Sequence, residues 1–294
     1  MTTHSSPSTS PSHCKRYKQS GVTLVELSIV LVILALLTGG IVSGVAMLRS
    51  TEFRKVFSEF QQFQMAISTF NTKYDDLPGD TTDATAIWGM APNASSPAVS
   101  DAACAALTSS SPSQGTRTCN GDGDGAIAVG YEEYRAWQQL SNANMIDGNY
   151  TGVGSTASAG EGHQTGINCP KSAFRDGCWR VFFRDSTDAQ RDPFYLFEGN
   201  YDTHLFSIWG GSNTLNNFTP LFTPAEIWEL DNKLDDGNPA TGAIVVPHAT
   251  GVGNPFAGCS LTTLGAATDE NDVDAIYNTN GKDRVCQIYI KADF

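Results

Sequence analysis

The chain of 294 residues carries 18 Lys and Arg against 31 Asp and Glu, which gives a formal net charge of −13. Because 40% of the residues are hydrophobic and only 17% are charged, the composition excludes wholesale disorder, and the length allows one or two domains. The acidic balance argues against nucleic acid as the main partner, since phosphate binding requires a basic surface, whereas acidic surfaces can bind divalent cations.

Charge divides the chain into three parts. The first 21 residues hold Lys15, Arg16 and Lys18 and no acid, and Glu26 is the only charged residue from Val22 to Leu48. The remainder contains 15 of the 18 bases and 30 of the 31 acids. A basic flank followed by an apolar stretch predicts that the flank stays in the cytoplasm and that the acidic body crosses the membrane.

The apolar stretch predicts a membrane helix over residues 22–48. Residues 27–48 are uncharged and would span roughly 33 Å as a helix, enough for the hydrocarbon core of a bilayer. The alternative is a secretory signal peptide, which is short and ends at a small-residue cleavage site. This stretch is longer and continues directly into an amphipathic pattern, which favours a permanent membrane helix.

Glu26 is the unusual residue of this stretch. A carboxylate inside a membrane helix costs about 2.5 kcal/mol or more at full depth, so such a group is expected to have a partner. The alternative is that Glu26 lies at the membrane interface, solvated by headgroups and without a role.

The residues around Glu26 form a recognisable pattern. The basic segment ends in Gly21 and is followed by Val22-Thr23-Leu24-Val25-Glu26. This pattern resembles the processing site of type IV pilins and type II secretion pseudopilins. The resemblance implies that residues 1–21 are a leader, that prepilin peptidase cleaves between Gly21 and Val22, and that it methylates the new N-terminus. The family usually has Phe where this chain has Val22.

The resemblance also implies an assembly mechanism and a set of partners. In a filament of staggered helices the new amine of Val22 pairs with Glu26 of a neighbouring subunit or of its own chain, which sets the register. The implied partners are prepilin peptidase, copies of this chain or other pilins, an inner-membrane assembly platform and a cytoplasmic motor. The precursor is expected in a bacterial inner membrane and the product in an extracellular or periplasmic filament, without catalysis of its own.

Residues 49–74 predict an amphipathic continuation of the membrane helix. Large apolar side chains recur at helical spacing, namely Phe53, Val56, Phe57, Phe60, Phe63, Ile67, Phe70 and Tyr74. The opposite face holds Glu59, Gln61, Gln62, Ser68 and Asn71. We expect the apolar stripe to pack on a head domain and Pro78-Gly79 to follow the end of the helix.

Residues 75–294 are expected to form an extracytoplasmic globular head of the α+β class. Short β-like runs lie at 179–183, 194–197, 205–209, 243–247 and 285–290, and short helices are predicted at 131–143 and 224–234. The expected architecture is a long N-terminal helix packed on a disulfide-stapled antiparallel sheet with long loops.

Cysteine usage favours an oxidising compartment. Without the leader, which contains Cys14, six cysteines remain: Cys104, Cys119, Cys169, Cys178, Cys259 and Cys286. An even number outside the cytoplasm predicts three disulfides, and we favour sequential pairing among the 15 possible connectivities. Zinc is the less favoured alternative, because no pair has C-x-x-C spacing and the histidines are scattered.

The segment from Asn120 to Ile127, Asn-Gly-Asp-Gly-Asp-Gly-Ala-Ile, resembles the first half of an EF-hand-type calcium loop. Oxygen side chains recur at every second position, and alternate positions of a turning loop can direct the several oxygen ligands that Ca²⁺ takes to one point. The candidate ligands are Asn120, Asp122, Asp124, the carbonyl of Ala126, and Glu132 or Glu133. The alternative is a turn rich in Gly and Asp that binds no ion.

A second acidic cluster, Asp231, Asp235 and Asp236, follows the helix that begins near Thr223 with the pattern of a capping box. We interpret Asp235-Asp236-Gly237 as a helix end and turn, with calcium or a salt bridge to Lys233 as the less favoured alternative. Together with the Leu77-Pro78-Gly79-Asp80 turn and the Asn120 loop, this run resembles a subgroup of large-headed bacterial prepilin-like proteins.

Three functional hypotheses follow. The first is a structural subunit of a type IV pilus or related filament. The second is a minor or tip pilin, or a secretion pseudopilin, that binds a surface or client, favoured by the 273 residues left after cleavage. The third is a membrane-anchored, calcium-dependent enzyme or adhesin. The chain contains no nucleophile elbow, zinc-protease motif or phosphate loop, which argues against an enzyme.

Overall fold

The computed structural model describes residues 21–91, 116–154, 162–186, 197, 199–210, 219–247, 258–261 and 272–294, without the side chains of 40 and 42–50. The chain divides into two compact units, Met1–Ser50 and Thr51–Phe294. Helix α1, Leu24–Tyr74, contributes residues to both. Within the described residues, no helix has both the length and the apolar character needed to cross a bilayer.

The second unit has an α+β architecture. Its described helices after α1 are α2 (Ala84–Trp88), α3 (Glu132–Asn142) and α4 (Pro224–Leu234). The described strands are β1 (Cys178–Arg184), β2 (Thr203–Trp209), β3 (Ile244–Val245), β4 (Ser260–Leu261), β5 (Ile276–Tyr277) and β6 (Tyr289–Lys291). An antiparallel sheet has the order β1-β2-β6-β3, and β4 pairs with β5 in a separate ribbon.

Most predicted elements of the second unit have a counterpart in the structure. Helix α1 ends at Tyr74 as the periodicity predicts, and β1 and β2 cover the strands predicted at 179–183 and 205–209. The strand predicted at 285–290 is wrong in its extent, because Cys286 bridges to Phe222 and the sheet takes only Tyr289–Lys291. Residues 194–196 of another predicted strand lie outside the described residues.

The apolar stripe of α1 packs on one face of the sheet, which confirms its interpretation as core. Phe60 meets Phe206 of β2 edge-on, with ring centroids 5.2 Å apart, and Phe63 contacts both Trp137 and Trp179. Strand alternation explains the contact, because every second residue of a strand points to the same face. The side chains that face α1 include Trp179 and Val181 of β1 and Phe206 and Ile208 of β2.

Glu59 differs from the sequence interpretation, which assigned it to the polar face of α1. Its carboxylate accepts hydrogen bonds from the indole of Trp179 at 2.8 Å, from the backbone N–H of Ala173 at 2.8 Å and from the hydroxyl of Ser172 at 3.0 Å. Trp179 is fully buried, so its indole N–H needs an acceptor inside the protein. Glu59 therefore joins α1 to the start of β1.

The head contains two described disulfides, Cys169–Cys178 and Cys259–Cys286, both of them sequential pairs. Cys119 is also disulfide-bonded, whereas Cys104 lies outside the described residues. Cys178 begins β1, and Cys286 lies opposite Phe222 just before α4. Cys169–Cys178 therefore attaches a loop to the start of β1, and Cys259–Cys286 joins the residue before β4 to the segment that pairs with Phe222.

Candidate functional site

Residues 21–23, at the predicted processing site, are not helical, and α1 starts at Leu24. The hydroxyl of Thr23 accepts a hydrogen bond from the backbone N–H of Glu26, at 3.2 Å. In return the carboxylate of Glu26 accepts bonds from the backbone N–H and the hydroxyl of Thr23, both at 2.8 Å. This reciprocal arrangement is a capping box, which satisfies donors that the first helical turn leaves without partners.

The three residues of the predicted processing and assembly sites are accessible. A side chain at Gly21 would meet no atom of the described residues within 4 Å, and the side chain of Val22 is 73% exposed. Glu26 is also exposed. A peptidase could therefore reach the Gly21–Val22 bond, and the carboxylate of Glu26 can be approached by a group from outside the chain.

The acidic loop, residues 120–127, packs against the turn that follows α1. A side chain at Gly121 would lie 2.2 Å from the backbone of Asp80, so only glycine permits this contact. The backbone N–H of Gly121 donates to the carbonyl of Thr81 at 2.9 Å. The Leu77-Pro78-Gly79-Asp80 turn and the loop after Asn120 are therefore parts of one structure.

Asp80 is at the centre of this structure and is fully buried. Its two carboxylate oxygens accept hydrogen bonds from the backbone N–H groups of Gly123 at 2.6 Å and of Gly125 at 2.9 Å. Burial raises the pKa of Asp80, and the charges of Asp76 and Asp124 add to that effect. A cation beside Asp80 would offset this electrostatic cost.

Three carboxylates, those of Asp80, Asp122 and Asp124, each offer an oxygen within 4.8 Å of the others. Sequence reasoning anticipated Asp122 and Asp124 but missed Asp80, which lies more than 40 positions earlier. The only available signal was the Gly79-Asp80 turn itself, which the sequence does not connect to the loop. Oxygen ligands at this spacing suit a hard divalent cation such as Ca²⁺.

The other expected ligands have different surroundings. Asn120 accepts a hydrogen bond from the backbone N–H of Thr85 at 2.7 Å. Glu132 is buried and accepts bonds from the backbone N–H groups of Asp122 at 3.2 Å and Ala128 at 2.8 Å, so it supports the loop. Burial, together with the charges of Asp80 and Asp122, raises the pKa of Glu132 to about 8.

Glu133 lies apart from the three-carboxylate group and forms an ion pair with Arg180 of β1. The Nη2 and Nε atoms of Arg180 approach one Glu133 oxygen at 2.6 and 2.9 Å, and His163 Nε2 lies 3.4 Å from the same oxygen. Burial opposes ionisation, but Arg180 and His163 overcome it and hold the pKa of Glu133 well below its usual range. Glu133 was expected as a candidate ligand of the loop, but it pairs with Arg180 instead, and this ion pair joins α3 to the sheet.

The second acidic cluster shapes a turn, and Asp231, Asp235 and Asp236 also each offer an oxygen within 4.8 Å of the others. Helix α4 ends at Leu234, and Asp235 accepts hydrogen bonds from the backbone N–H groups of Ala243 and Ile244 at 2.5 and 2.8 Å. Asp236 accepts from the backbone N–H of Asn238 at 2.8 Å. Lys233 pairs with Glu229 at 2.5 Å, so the expected alternative of a salt bridge from Lys233 to this cluster does not form.

Comparison with known proteins identifies one family model. Residues 16–42 match the prokaryotic N-terminal methylation motif. No curated protein and no solved structure matches the chain. The matched segment covers Gly21, Val22 and Glu26, for which the structure gives an accessible bond and a capped helix start. The chain thus carries, at residues 16–42, the N-terminal methylation signal of type IV pilins and pseudopilins.

Proposed function

We propose that this chain is a structural subunit of a type IV pilus or related filament, cleaved after Gly21 and assembled from the inner membrane. The observation that carries the proposal is the methylation motif at residues 16–42, because this motif is the signal of type IV pilins and pseudopilins, which favours a structural subunit over an enzyme. Prepilin peptidase and other pilins are the partners that this motif implies.

The exposed apolar surface of the first unit supports the proposal. Every described large hydrophobic side chain from Val22 to Ile41 is at least 50% exposed, and Leu24 reaches 85%. Exposed apolar surface of this extent marks a site that contacts lipid or protein. The proposed environment is the bilayer for the precursor and the neighbouring helices of the filament for the assembled subunit.

Mass spectrometry of the N-terminus tests the processing step. In cells with an active prepilin peptidase we expect a chain that begins at a methylated Val22. In cells without the peptidase the chain should retain residues 1–21. A chain that keeps its leader in both strains would contradict the proposal and favour an anchored enzyme or adhesin.

Assembly through Glu26 is the finer part of the proposal. In the free chain the Glu26 carboxylate caps its own helix, so a simple loss of the side chain would remove two functions together. Glu26→Gln separates them, because glutamine can still complete a capping box but cannot pair with an amine as a carboxylate does. Thr23→Ala makes the opposite change, since it removes the cap and keeps the charge.

The test is the amount of filament recovered from cells that express each variant. We expect Glu26→Gln and Glu26→Ala to be inserted and cleaved but to yield few filaments, and Thr23→Ala to assemble. Normal assembly of Glu26→Gln would exclude the pairing of Glu26 with the Val22 amine. Counting this chain against other subunits in the filaments distinguishes a major subunit from a minor or tip pilin.

We also propose that Ca²⁺ binds between Asp80 of the turn after α1 and Asp122 and Asp124 of the acidic loop. Among the described residues none of the three forms an ion pair, although Asp80 is fully buried. An ion that binds only the folded state stabilises it by about 2.7 kcal/mol at 100 times its Kd. Chelation should therefore lower the Tm of the wild-type chain.

The control for calcium is a pair of matched substitutions. Asp124→Asn should remove the effect of Ca²⁺ on the Tm, whereas Asp147→Asn, at an exposed position outside the loop, should retain it. An identical melting curve with Ca²⁺ and with chelator in the wild-type chain would refute this site.

A further inference from the structure

The face of the main sheet that points away from α1 carries an unusual set of side chains. Arg180, Phe182 and Arg184 alternate along β1 and therefore share this face. Phe182 belongs to a small apolar cluster on this face, together with Leu205, Trp209, Val245 and Tyr289. In a chain with a net charge of −13, two buried arginines on one sheet face require a structural or functional reason.

Arg180 forms an ion pair, whereas Arg184 forms none with any residue that the structure describes. The guanidinium of Arg180 is neutralised by Glu133. Arg184 is only 7% exposed, yet no carboxylate among the described residues forms an ion pair with it, and its buried Nε has no hydrogen-bond partner. Its described side-chain contact is with the ring of Phe182, 5.6 Å from Cζ to the centroid.

A second unpartnered donor lies on the same face. Tyr289 is 1% exposed, and its hydroxyl has no hydrogen-bond partner within the part of the chain that the structure describes. Its ring meets the ring of Phe182 edge-on at 6.1 Å, so Tyr289 and Arg184 both contact that one side chain. Burial raises the pKa of the Tyr289 hydroxyl to about 12, while the charge of Arg184 and then that of Arg180 oppose the rise. The hydroxyl is therefore protonated at neutral pH and lies within the field of both arginines.

An unpaired buried cation and an unsatisfied buried hydroxyl are both costly. One negatively charged hydrogen-bond acceptor that contacts both the guanidinium and the hydroxyl would remove this cost. We propose that Arg184 and Tyr289 form a binding site for a small oxyanion, a carboxylate or phosphate group, on the sheet face opposite α1. The guanidinium can donate two parallel hydrogen bonds to such a group, and the hydroxyl can donate a third.

The neighbouring side chains favour a bound anion over a bound cation. Glu133 compensates the charge of Arg180, which leaves the charge of Arg184 without a described counter-ion. The aromatic rings of Phe182 and Trp209 lie against the two guanidinium groups. Low local polarity strengthens a hydrogen bond between charged groups. A single anion at Arg184 would restore local charge balance in the way that Glu133 does at Arg180.

Equilibrium binding to the full chain in detergent tests this proposal, with inorganic phosphate and acetate as separate probes and chloride as the reference at equal ionic strength. We expect saturable binding of one phosphate or one acetate per chain, accompanied by a rise in Tm that chloride does not produce. Saturation by phosphate alone identifies a phosphate site, and saturation by acetate identifies a carboxylate site. Binding of neither anion above the chloride reference would overturn the proposal.

Substitutions locate the site. Arg184→Gln is expected to raise the Kd about tenfold or more, since it removes the charged donor. Tyr289→Phe keeps the shape of the side chain and should weaken binding by a smaller factor. Arg54→Gln, at an exposed position of α1, should leave the Kd unchanged. If Arg184→Gln does not fold, Tyr289→Phe alone tests the site. An unchanged Kd in that variant would overturn the assignment of the anion site to Arg184 and Tyr289.

Discussion

At the scale of single residues, several polar groups of this chain stabilise the fold through specific hydrogen bonds. Glu26 caps the helix in which it lies, and Asp80 organises a loop that is distant in sequence. His204 belongs to the same group of residues, because its Nε2 accepts a hydrogen bond from the backbone N–H of Ile127 at 3.1 Å. That bond joins the end of the acidic loop to β2.

The bond to His204 requires a neutral imidazole, and this predicts a pH dependence of stability. Burial lowers the pKa of His204 to about 4, whereas its ordinary value is 6.5. The unfolded chain therefore takes up a proton at this residue at higher pH than the folded chain does. As pH falls from about 6.5 to about 4, His204 should reduce the free energy of unfolding by up to roughly 3 kcal/mol.

Denaturant unfolding of the wild-type chain and of His204→Gln at several pH values between 4 and 8 measures this effect. Asp231 acts in the opposite direction, since burial raises its pKa to about 7, so only the difference between the two chains isolates His204. The free energy of unfolding of His204→Gln, relative to that of the wild-type chain, should rise as the pH is lowered. A difference that is independent of pH would refute the role given to His204.

At the scale of elements, the position of α1 on the sheet depends on an apolar stripe and one carboxylate. The stripe supplies the buried apolar side chains of α1, and the hydrogen bonds of Glu59 fix where along β1 the helix lies. The reason is directional: apolar packing tolerates small displacements, whereas a carboxylate that accepts three hydrogen bonds does not.

Removing that carboxylate should destabilise the head. Glu59→Ala leaves the buried indole N–H of Trp179 without its acceptor, which costs about 1–3 kcal/mol. Glu52→Ala is the matched control, because Glu52 lies on the same helix and is exposed, and it should change the free energy of unfolding by less than about 0.5 kcal/mol. Chemical denaturation of the three chains measures both effects, and equal stability of the two variants would contradict the proposed contact.

At the scale of the whole molecule, the two compact units differ in the exposure of their apolar side chains. The described apolar residues of the first unit are exposed, and every buried hydrophobic residue described in the chain lies at Phe53 or later. Folding of the second unit therefore draws its hydrophobic stabilisation from residues within Thr51–Phe294.

A fragment of residues 51–294, exported so that its disulfides form, should therefore fold alone and melt cooperatively. A fragment of residues 75–294 should not, because it lacks the stripe of α1 that covers one face of the sheet. Circular dichroism during heating compares the two. Failure of the longer fragment to fold, or cooperative melting of the shorter one, would show that this account of the core is wrong.

The amino-acid sequence by itself determined the features that depend on local pattern. The methylation motif and the charge distribution are linear signals, and the stripe of α1 follows from helical periodicity, so each was visible without coordinates. Helix α4 was equally local, since Thr223, Pro224 and Glu226 form its capping box. The two described disulfides join cysteines that are neighbours in order.

Only the tertiary structure decided which distant polar groups meet. Three such contacts are those of Asp80 with the acidic loop, of Glu133 with Arg180 and of Trp179 with Glu59. The lack of an ion pair at Arg184 among the described residues likewise depends on how separate segments pack. Nothing in one sequence encodes such partners directly, because a hydrogen bond depends on distance and angle in space and not on separation along the chain.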